Sequence, residues 1–148
     1  MLRMSRITDY GIVLLTHLAT APEGEVHNAR ELAERSGLPL PVVSKILKAL
    51  TREGFLHSQR GAKGGYALSR PAAEISVAAV IDALEGPIAI TECGLQPGAC
   101  ARESRCAVHA PWQRINRAVR QTLEGVRLSE LLATPPAFSA SGEVIDVR

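Results

Sequence analysis

The three cysteines are the residues of this sequence with the clearest capacity for chemistry. Cys93, Cys100 and Cys106 lie within fourteen positions of one another, and two glycines and a proline stand between them. Because such residues interrupt helices, the segment is predicted to be a loop that can bring three thiolates around a common centre. Three sulfurs with an incomplete ligand set suit an iron-sulfur cluster, or a zinc ion completed by His109.

Free thiols are the alternative interpretation of the same segment. An odd number of cysteines argues against a framework of structural disulfides and leaves inert thiols, redox-active thiols or metal ligands. The spacing is wider than the cysteine pairs of ordinary zinc fingers and ferredoxins. From the residues alone, the choice between a metal and free thiols stays open.

The first part of the chain is predicted to hold a helix-turn-helix. The hydrophobic spacing indicates a first helix over residues 7–19, with Thr8 as its cap. A second helix is expected over residues 28–37, where Asn28 and a glutamate three positions later form a capping box. A third follows over residues 41–53 and presents a polar, basic face.

A β-hairpin is predicted directly after these helices. Residues 55–60 and 66–68 alternate like strands around a glycine-rich tip at 61–65. A hairpin in this position is the wing of a winged-helix domain, and a fourth helix over residues 76–85 follows it. The predicted fold class is therefore mainly α with a small β-hairpin wing, as in a winged helix-turn-helix, plus a long C-terminal helix.

The basic side chains of this domain indicate double-stranded DNA as a partner. Residues 1–70 carry a net charge of +4 and the remainder −2. The third helix has the dimensions to enter a major groove, and the wing can contact phosphates or the minor groove. The candidate DNA-binding residues are Ser44, Lys45, Lys48, Arg60 and Lys63. The alternatives are a merely solvated face and a winged helix that serves protein contacts.

The C-terminal part contains a helix that cannot bury its own apolar face. From Pro111 onward, apolar residues recur at helical spacing and leave arginines on the opposite side. The predicted organisation has four parts: a DNA-binding domain over residues 1–86, a cysteine-containing loop over 87–110, a long helix over 111–132, and a disordered tail over 133–148.

The sequence pattern argues against two classes of protein, those inserted into or exported across a membrane and enzymes. The chain has no run of about 20 apolar residues and its first residues are charged, so neither a membrane span nor a signal peptide is predicted and a cytoplasmic protein is expected. The His and acidic residues form no nucleophile-base set, and the one glycine-rich loop lies in a hairpin, so no enzyme is expected.

Several stretches of sequence resemble the Rrf-two (Rrf2) family of winged-helix transcription regulators. The resemblance covers nearly the whole chain. It rests on the clustered cysteines and on three motifs, Ile7-Thr8-Asp9-Tyr10-Gly11, Arg60-Gly61-Ala62-Lys63-Gly64-Gly65-Tyr66-Ala67-Leu68 and the helix from Ile75 to Glu85. Within the family, Glu85-Gly86-Pro87 and Thr91-Glu92-Cys93 look most like regulators of the SUF iron-sulfur assembly operon.

This resemblance implies a homodimer, formed through the helix over residues 111–125, that binds operator DNA. It also implies that the three cysteines ligate a [2Fe-2S] or [4Fe-4S] cluster. The fourth ligand is then His109, as in the family's iron-sulfur regulators, or Asp9 from the other subunit, as in its nitric-oxide sensors. The expected function is an iron-sulfur-sensing transcription regulator, a repressor, of iron-sulfur cluster assembly genes. The alternatives are a nitric-oxide or redox-sensing repressor of the same family, and a zinc or thiol switch without a cluster.

Overall fold

The computed structural model describes residues 3–132 and is mainly helical, as predicted. The predicted tail over residues 133–148 lies outside the described residues. The secondary structure comprises α1 (Arg6–Ala19), α2 (Ala29–Ser36), α3 (Leu40–Arg52), β1 (Leu56–Gln59), β2 (Gly65–Leu68), α4 (Val77–Glu85), α5 (Glu92–Leu95) and α6 (His109–Gly125). Single 3-10 turns occur at Ala72–Glu74, Glu103–Arg105 and Leu128–Leu132.

Helix α1 begins earlier than the sequence predicts. The Oγ of Ser5 accepts a hydrogen bond from the Thr8 N–H at 3.2 Å, so Ser5 is the N-cap. The prediction that Thr8 caps the helix is wrong, because Thr8 lies inside the first turn and is fully buried. The carboxylate of Glu85, at the end of α4, accepts the Ser5 N–H, so the start of α1 is tied to the end of α4.

The predicted helix-turn-helix is confirmed in α2 and α3. The Oδ1 of Asn28 caps α2 by accepting the Glu31 N–H at 2.9 Å, and Gly37 ends it in a left-handed conformation with φ of 70°. Helix α3 begins one residue before its predicted start. Its fully buried side chains are Val43, Ile46, Leu47 and Leu50, which pack against α1 and α2 in the apolar core.

The wing forms as predicted and is anchored at its base. Strands β1 and β2 pair antiparallel, with Leu56 opposite Leu68 at the base of the hairpin. The His27 N–H donates to the Tyr66 carbonyl at 2.9 Å, and the Tyr66 N–H donates to the His27 carbonyl at 2.8 Å. The absence of a side chain at Gly65 permits this pairing, since a Cβ there would lie 2.4 Å from the His27 carbonyl oxygen.

The chain returns to the winged-helix core after α6. The Val77 N–H donates to the Val126 carbonyl at 2.9 Å, and the Leu128 N–H donates to the Ile75 carbonyl at 2.8 Å. Leu128 is 1% exposed and belongs to the same apolar core as α1. Backbone hydrogen bonds therefore hold the two ends of residues 77–126 together.

Helix α6 differs from its prediction at both ends. It begins at His109, two residues before Pro111, which the first turn tolerates because its N–H groups have no partner inside the helix. It ends at Gly125, so residues 128–132 form a separate turn and do not extend the helix. Among residues 3–132, no helix has the length and hydropathy to cross a membrane.

Candidate functional site

Helix α3 presents basic side chains to solvent because its apolar residues occupy the opposite side. Lys45 and Lys48 are exposed and Ser44 is half-buried, whereas Ile46 and Leu47, which stand between the lysines in sequence, are buried. Within residues 3–132, neither lysine makes a salt bridge. Both ammonium groups are thus available to an external anion.

The tip of the wing adds two further cations. Arg60 and Lys63 are exposed in the turn between β1 and β2, and neither forms a salt bridge in the described part of the chain. At the base of the hairpin, the guanidinium of Arg70 lies 5.2 Å from the centre of the ring of Phe55, the residue before β1. An exposed basic helix followed by an exposed basic hairpin can contact a polyanion at two places.

The three cysteines occupy different local structures within one segment. Cys93 lies in the short helix α5, Cys100 precedes the turn at Glu103–Arg105, and Cys106 follows that turn. All three are partly exposed free thiols. The Sγ of Cys93 lies 3.2 Å from the Oγ1 of Thr91. The segment therefore holds its thiols outside the apolar core, where a reactant can reach them.

The types of donor in this segment fit the predicted cluster, but the cysteines do not converge on one point. Thiolate and imidazole groups are the ligands that iron-sulfur clusters and zinc accept in proteins. Over residues 3–132, however, no three His, Cys, Asp or Glu side chains are grouped closely enough to hold a metal ion. To bind a metal ion or a cluster, the segment between Cys93 and Cys106 would have to close around it.

The two candidate fourth ligands lie in different parts of the molecule. His109 is the first residue of α6, and its Nε2 lies 3.3 Å from the Gln113 Nε2 and 3.5 Å from a Glu103 carboxylate oxygen. Asp9 is exposed on the first turns of α1, in the DNA-binding domain. The assignment of either residue as a ligand stays a prediction, as do the roles of the five candidate DNA-binding residues.

The sequence analysis missed a set of polar contacts between α6 and the cysteine segment. The Gln113 Nε2 donates to the Cys93 carbonyl at 2.5 Å. The Asn116 Oδ1 accepts the Ile90 N–H at 2.8 Å, and its Nδ2 lies 3.1 Å from the Thr91 Oγ1. These residues are three positions apart on α6, a spacing that puts them on one face of a helix. This spacing of two polar residues is the sequence signal from which their contacts could have been predicted.

A third contact on the same face joins α6 to α4. The Arg120 guanidinium binds both carboxylate oxygens of Asp82, at 2.8 and 3.3 Å, and it also pairs with Glu124. These hydrogen bonds, chiefly those that Arg120 donates to Asp82, raise the pKa of Arg120 above its ordinary value. Hydrogen bonds from Ser5 lower the pKa of Glu85, one turn further along α4. Both groups are therefore held in their charged forms.

The apolar residues of α6 are only partly covered by the rest of residues 3–132. Ile115 is 43% exposed, and Trp112, Val119 and Leu123 are only partly buried. Asn116 is the one buried residue of α6. The buried contact of α6 with the rest of the described chain is thus polar, and its apolar side chains are only partly covered.

Helices α1 to α3 with the basic hairpin define a winged-helix DNA-binding protein. The chain belongs to the Rrf2 family, because residues 4–134 match the family described as an iron-dependent transcriptional regulator. It is 31% identical over 147 residues to the HTH-type transcriptional regulator IscR of Xenorhabdus nematophila, an alignment that covers 99% of this chain and 84% of that protein.

Solved structures agree with this assignment. CymR (YrzC) of B. subtilis, described as the global cysteine regulator, is similar with a TM-score of 0.71 and 28% identity, over 90% of this chain and 98% of that one. IscR of T. potens is similar with a TM-score of 0.65 and 26% identity, over 88% and 86% of the two chains. The predictions of a winged-helix transcription regulator that is not an enzyme are thereby confirmed.

Proposed function

We propose that this chain is an iron-sulfur-dependent repressor that binds operator DNA as a homodimer and controls genes of iron-sulfur cluster assembly. The observation that carries the proposal is the placement of three partly exposed free cysteines beside α6, outside the apolar core. Similarity to IscR supports the same function. A regulator of chromosomal operators would act in the cytoplasm.

The proposed ligands are Cys93, Cys100 and Cys106, with His109 as the fourth and Asp9 from a second copy as its competitor. His109 is favoured because it adjoins the cysteine segment, whereas Asp9 lies on α1. When bound, the cluster supplies a group that oxygen or nitric oxide can oxidise or destroy, and a ligand other than cysteine binds iron less tightly than a thiolate does. Most side chains between Cys93 and His109 are exposed, so few packing contacts oppose closure of the segment.

The proposed DNA contacts follow from the two basic elements. In each copy, α3 would lie in the major groove with Ser44, Lys45 and Lys48 toward base edges and phosphates, and Arg60 and Lys63 would contact the backbone at the wing. A winged-helix dimer reads two half-sites whose separation is fixed by the dimer interface. A change in the cysteine segment that shifts this interface would alter the match to the operator.

The proposed dimer interface is the apolar face of α6 over residues 111–125. Its side chains are incompletely covered within one chain, and a second copy would remove them from water. Burial of apolar surface stabilises an interface by about 25 cal/mol per Å² before the costs of association. The exposure of Ile115 in particular supports contact with a neighbouring copy.

The main test is anaerobic purification with a visible absorption spectrum and iron and sulfide analysis. We expect a brown protein with matching iron and sulfide, bleached by Cys100→Ala and by His109→Ala. His57→Ala, which replaces an exposed histidine on β1, is the matched control and should keep the colour. If Asp9→Ala bleaches the protein and His109→Ala does not, the fourth ligand comes from α1. A wild type that stays colourless after reconstitution refutes the cluster.

A thiol switch without a cluster is the second candidate function. It is favoured by the lack of a converged metal site over residues 3–132 and by the similarity to the global cysteine regulator CymR. In that case, oxidant should change operator affinity in the metal-free protein, and replacing the cysteines with serine should abolish the change. A zinc-bound form would instead be colourless and would contain zinc by elemental analysis.

A further inference from the structure

We infer that Gln113, Asn116 and Arg120 are positioning residues that couple Cys93 to helix α4 of the DNA-binding domain. They form a ladder of polar contacts along one face of α6, which we call the α6 ladder. The coupling itself is a property of the metal-free chain. Its value for sensing rests on the proposed function, in which Cys93 is a ligand.

The spacing of the ladder puts its three side chains on one helical face. Residues separated by three and four positions are neighbours on a helix, and the ladder residues follow that spacing. Gln113 holds the Cys93 carbonyl, Asn116 holds the Ile90 N–H and the Thr91 hydroxyl, and Arg120 holds Asp82. Each member binds a different point of residues 82–93.

The middle contact is built into the packing of the molecule. Asn116 is 7% exposed, and burial of an amide is costly unless its polar atoms are hydrogen-bonded. Gly94 makes room for it, because a Cβ at that position would lie 2.2 Å from the Asn116 Nδ2. The amide and the glycine therefore fit each other, and both adjoin Cys93.

The ladder also reaches the second end of the cysteine segment. The Gln113 Nε2 that donates to the Cys93 carbonyl lies 3.3 Å from the His109 Nε2. One amide thus contacts both Cys93 and His109, which are two of the four proposed ligands. Loss of a group that orients a ligand in this way typically lowers metal affinity or activity by about 10- to 100-fold.

Asp82 joins the ladder to the DNA-binding domain. Its carboxylate accepts hydrogen bonds from Arg120 and from the Ile88 N–H at 3.1 Å, so it fixes the start of the segment that leads to Cys93. One turn along α4, Glu85 binds the N-terminus of α1 through Ser5. A displacement of Cys93 would therefore strain contacts that extend to α4 and α1.

The experiment removes the ladder contact that is farthest from Cys93 and measures the alkylation rate of the Cys93 thiol. Arg120→Ala deletes the pairing with Asp82, and Arg117→Ala is the matched control, since Arg117 is exposed on the same helix and makes no salt bridge within residues 3–132. Both variants lose one positive charge, which by itself disfavours thiolates and slows their alkylation. In metal-free, reduced protein, the rate of iodoacetamide alkylation is measured separately for each cysteine by mass spectrometry.

We expect Arg120→Ala to raise the ratio of the Cys93 rate to the Cys106 rate by roughly two- to fivefold, the range that the loss of one partly exposed ion pair allows. Arg117→Ala should leave the ratio unchanged, and Gln113→Ala, which removes the direct contact, should raise it at least as much as Arg120→Ala. Equal ratios in Arg120→Ala and Arg117→Ala would overturn the inference. An unchanged ratio in Gln113→Ala would overturn it as well.

A second arm separates this inference from the proposed function. The same variants are purified anaerobically and their visible spectra are compared with that of the wild type. If the wild type is colourless and Arg120→Ala changes the alkylation ratio, the cluster is refuted and the ladder is supported. If the wild type is brown and Arg120→Ala leaves the alkylation ratio unchanged, the cluster is supported and the ladder is refuted.

Discussion

Replacing Gly65 with alanine would force a methyl group against the backbone of the neighbouring chain segment. A Cβ at this position would lie 2.4 Å from the His27 carbonyl oxygen and 2.8 Å from the Asn28 backbone nitrogen. Both are main-chain atoms, so no side chain can rotate to make room. We expect strand β2 to move away from His27 and the wing to lose its anchor.

The cost follows from the contacts that would break. The backbones of His27 and Tyr66 exchange two hydrogen bonds, at 2.9 and 2.8 Å, and each such bond contributes about 1 kcal/mol net. Repacking around the displaced strand adds to this loss. The free energy of unfolding should therefore fall by about 2–3 kcal/mol, a large part of the 5–15 kcal/mol that is usual for a domain.

Urea unfolding followed by far-UV circular dichroism measures this loss, and Gly54→Ala serves as the control. Gly54 also has a positive φ, of 81°, but no atom lies within 4 Å of a Cβ there. Its replacement costs only the left-handed conformation, about 1–2 kcal/mol. Operator affinity should fall for Gly65→Ala even where the protein is fully folded, because the wing no longer has a fixed position.

The argument would be refuted if Gly65→Ala were no less stable than Gly54→Ala. That result would mean that the backbone hydrogen bonds between His27 and Tyr66 can be broken with little loss in the free energy of unfolding. A normal operator affinity in the folded Gly65→Ala protein would show instead that the anchor does not control where the wing binds.

Three further predictions concern charge and the C-terminal turn. Hydrogen bonds from the start of α1 lower the pKa of Glu85, so its contribution to stability is present above the ordinary pKa of 4.5 and is lost as the pH falls through the lowered value. Glu85→Gln should flatten that part of a stability titration, and an unaltered pH slope would contradict this. Lys48→Ala should reduce the slope of log K against log salt for operator binding by about 0.9, measured by fluorescence anisotropy, while Arg117→Ala leaves the slope unchanged. Leu128→Ala should destabilise the protein by about 2–4 kcal/mol in urea, but Leu131→Ala, which alters an exposed side chain, by less than about 1 kcal/mol; equal losses would show that Leu128 is not a core residue.

The winged helix could be predicted from the sequence because local signals specify its elements. Asn28 and Ser76 cap the helices that follow them, Gly37 ends α2, and the glycine-rich tip separates two short strands. Each of these signals acts within a few residues and needs no knowledge of tertiary contacts. The cap of α1 was misplaced because Ser5 and Thr8 are both suitable residues, and only the structure shows which hydroxyl accepts the N–H.

The α6 ladder could not be predicted by the same reasoning. Hydrophobic periodicity treats the polar side of a helix as solvent-exposed, and this placed Arg120 on an exposed face. In the structure, Asn116 is buried and Arg120 binds Asp82, thirty-eight positions earlier in the chain. Contacts between such distant residues leave no periodic signal. The position of Cys93 likewise depends on a residue twenty positions later, because its carbonyl accepts a hydrogen bond from Gln113.

The closure of residues 77–126 has a consequence for how the cysteine-containing segment can vary in length. Backbone hydrogen bonds from Val77 to Val126 and from Leu128 to Ile75 hold both ends of this segment at one place in the winged-helix core. An insertion or deletion between Cys93 and Cys106 therefore changes the length of a bridged loop without shifting the residues that follow α6. The spacing of the cysteines can therefore change during evolution, or be altered by engineering, while α3 and the wing keep their geometry.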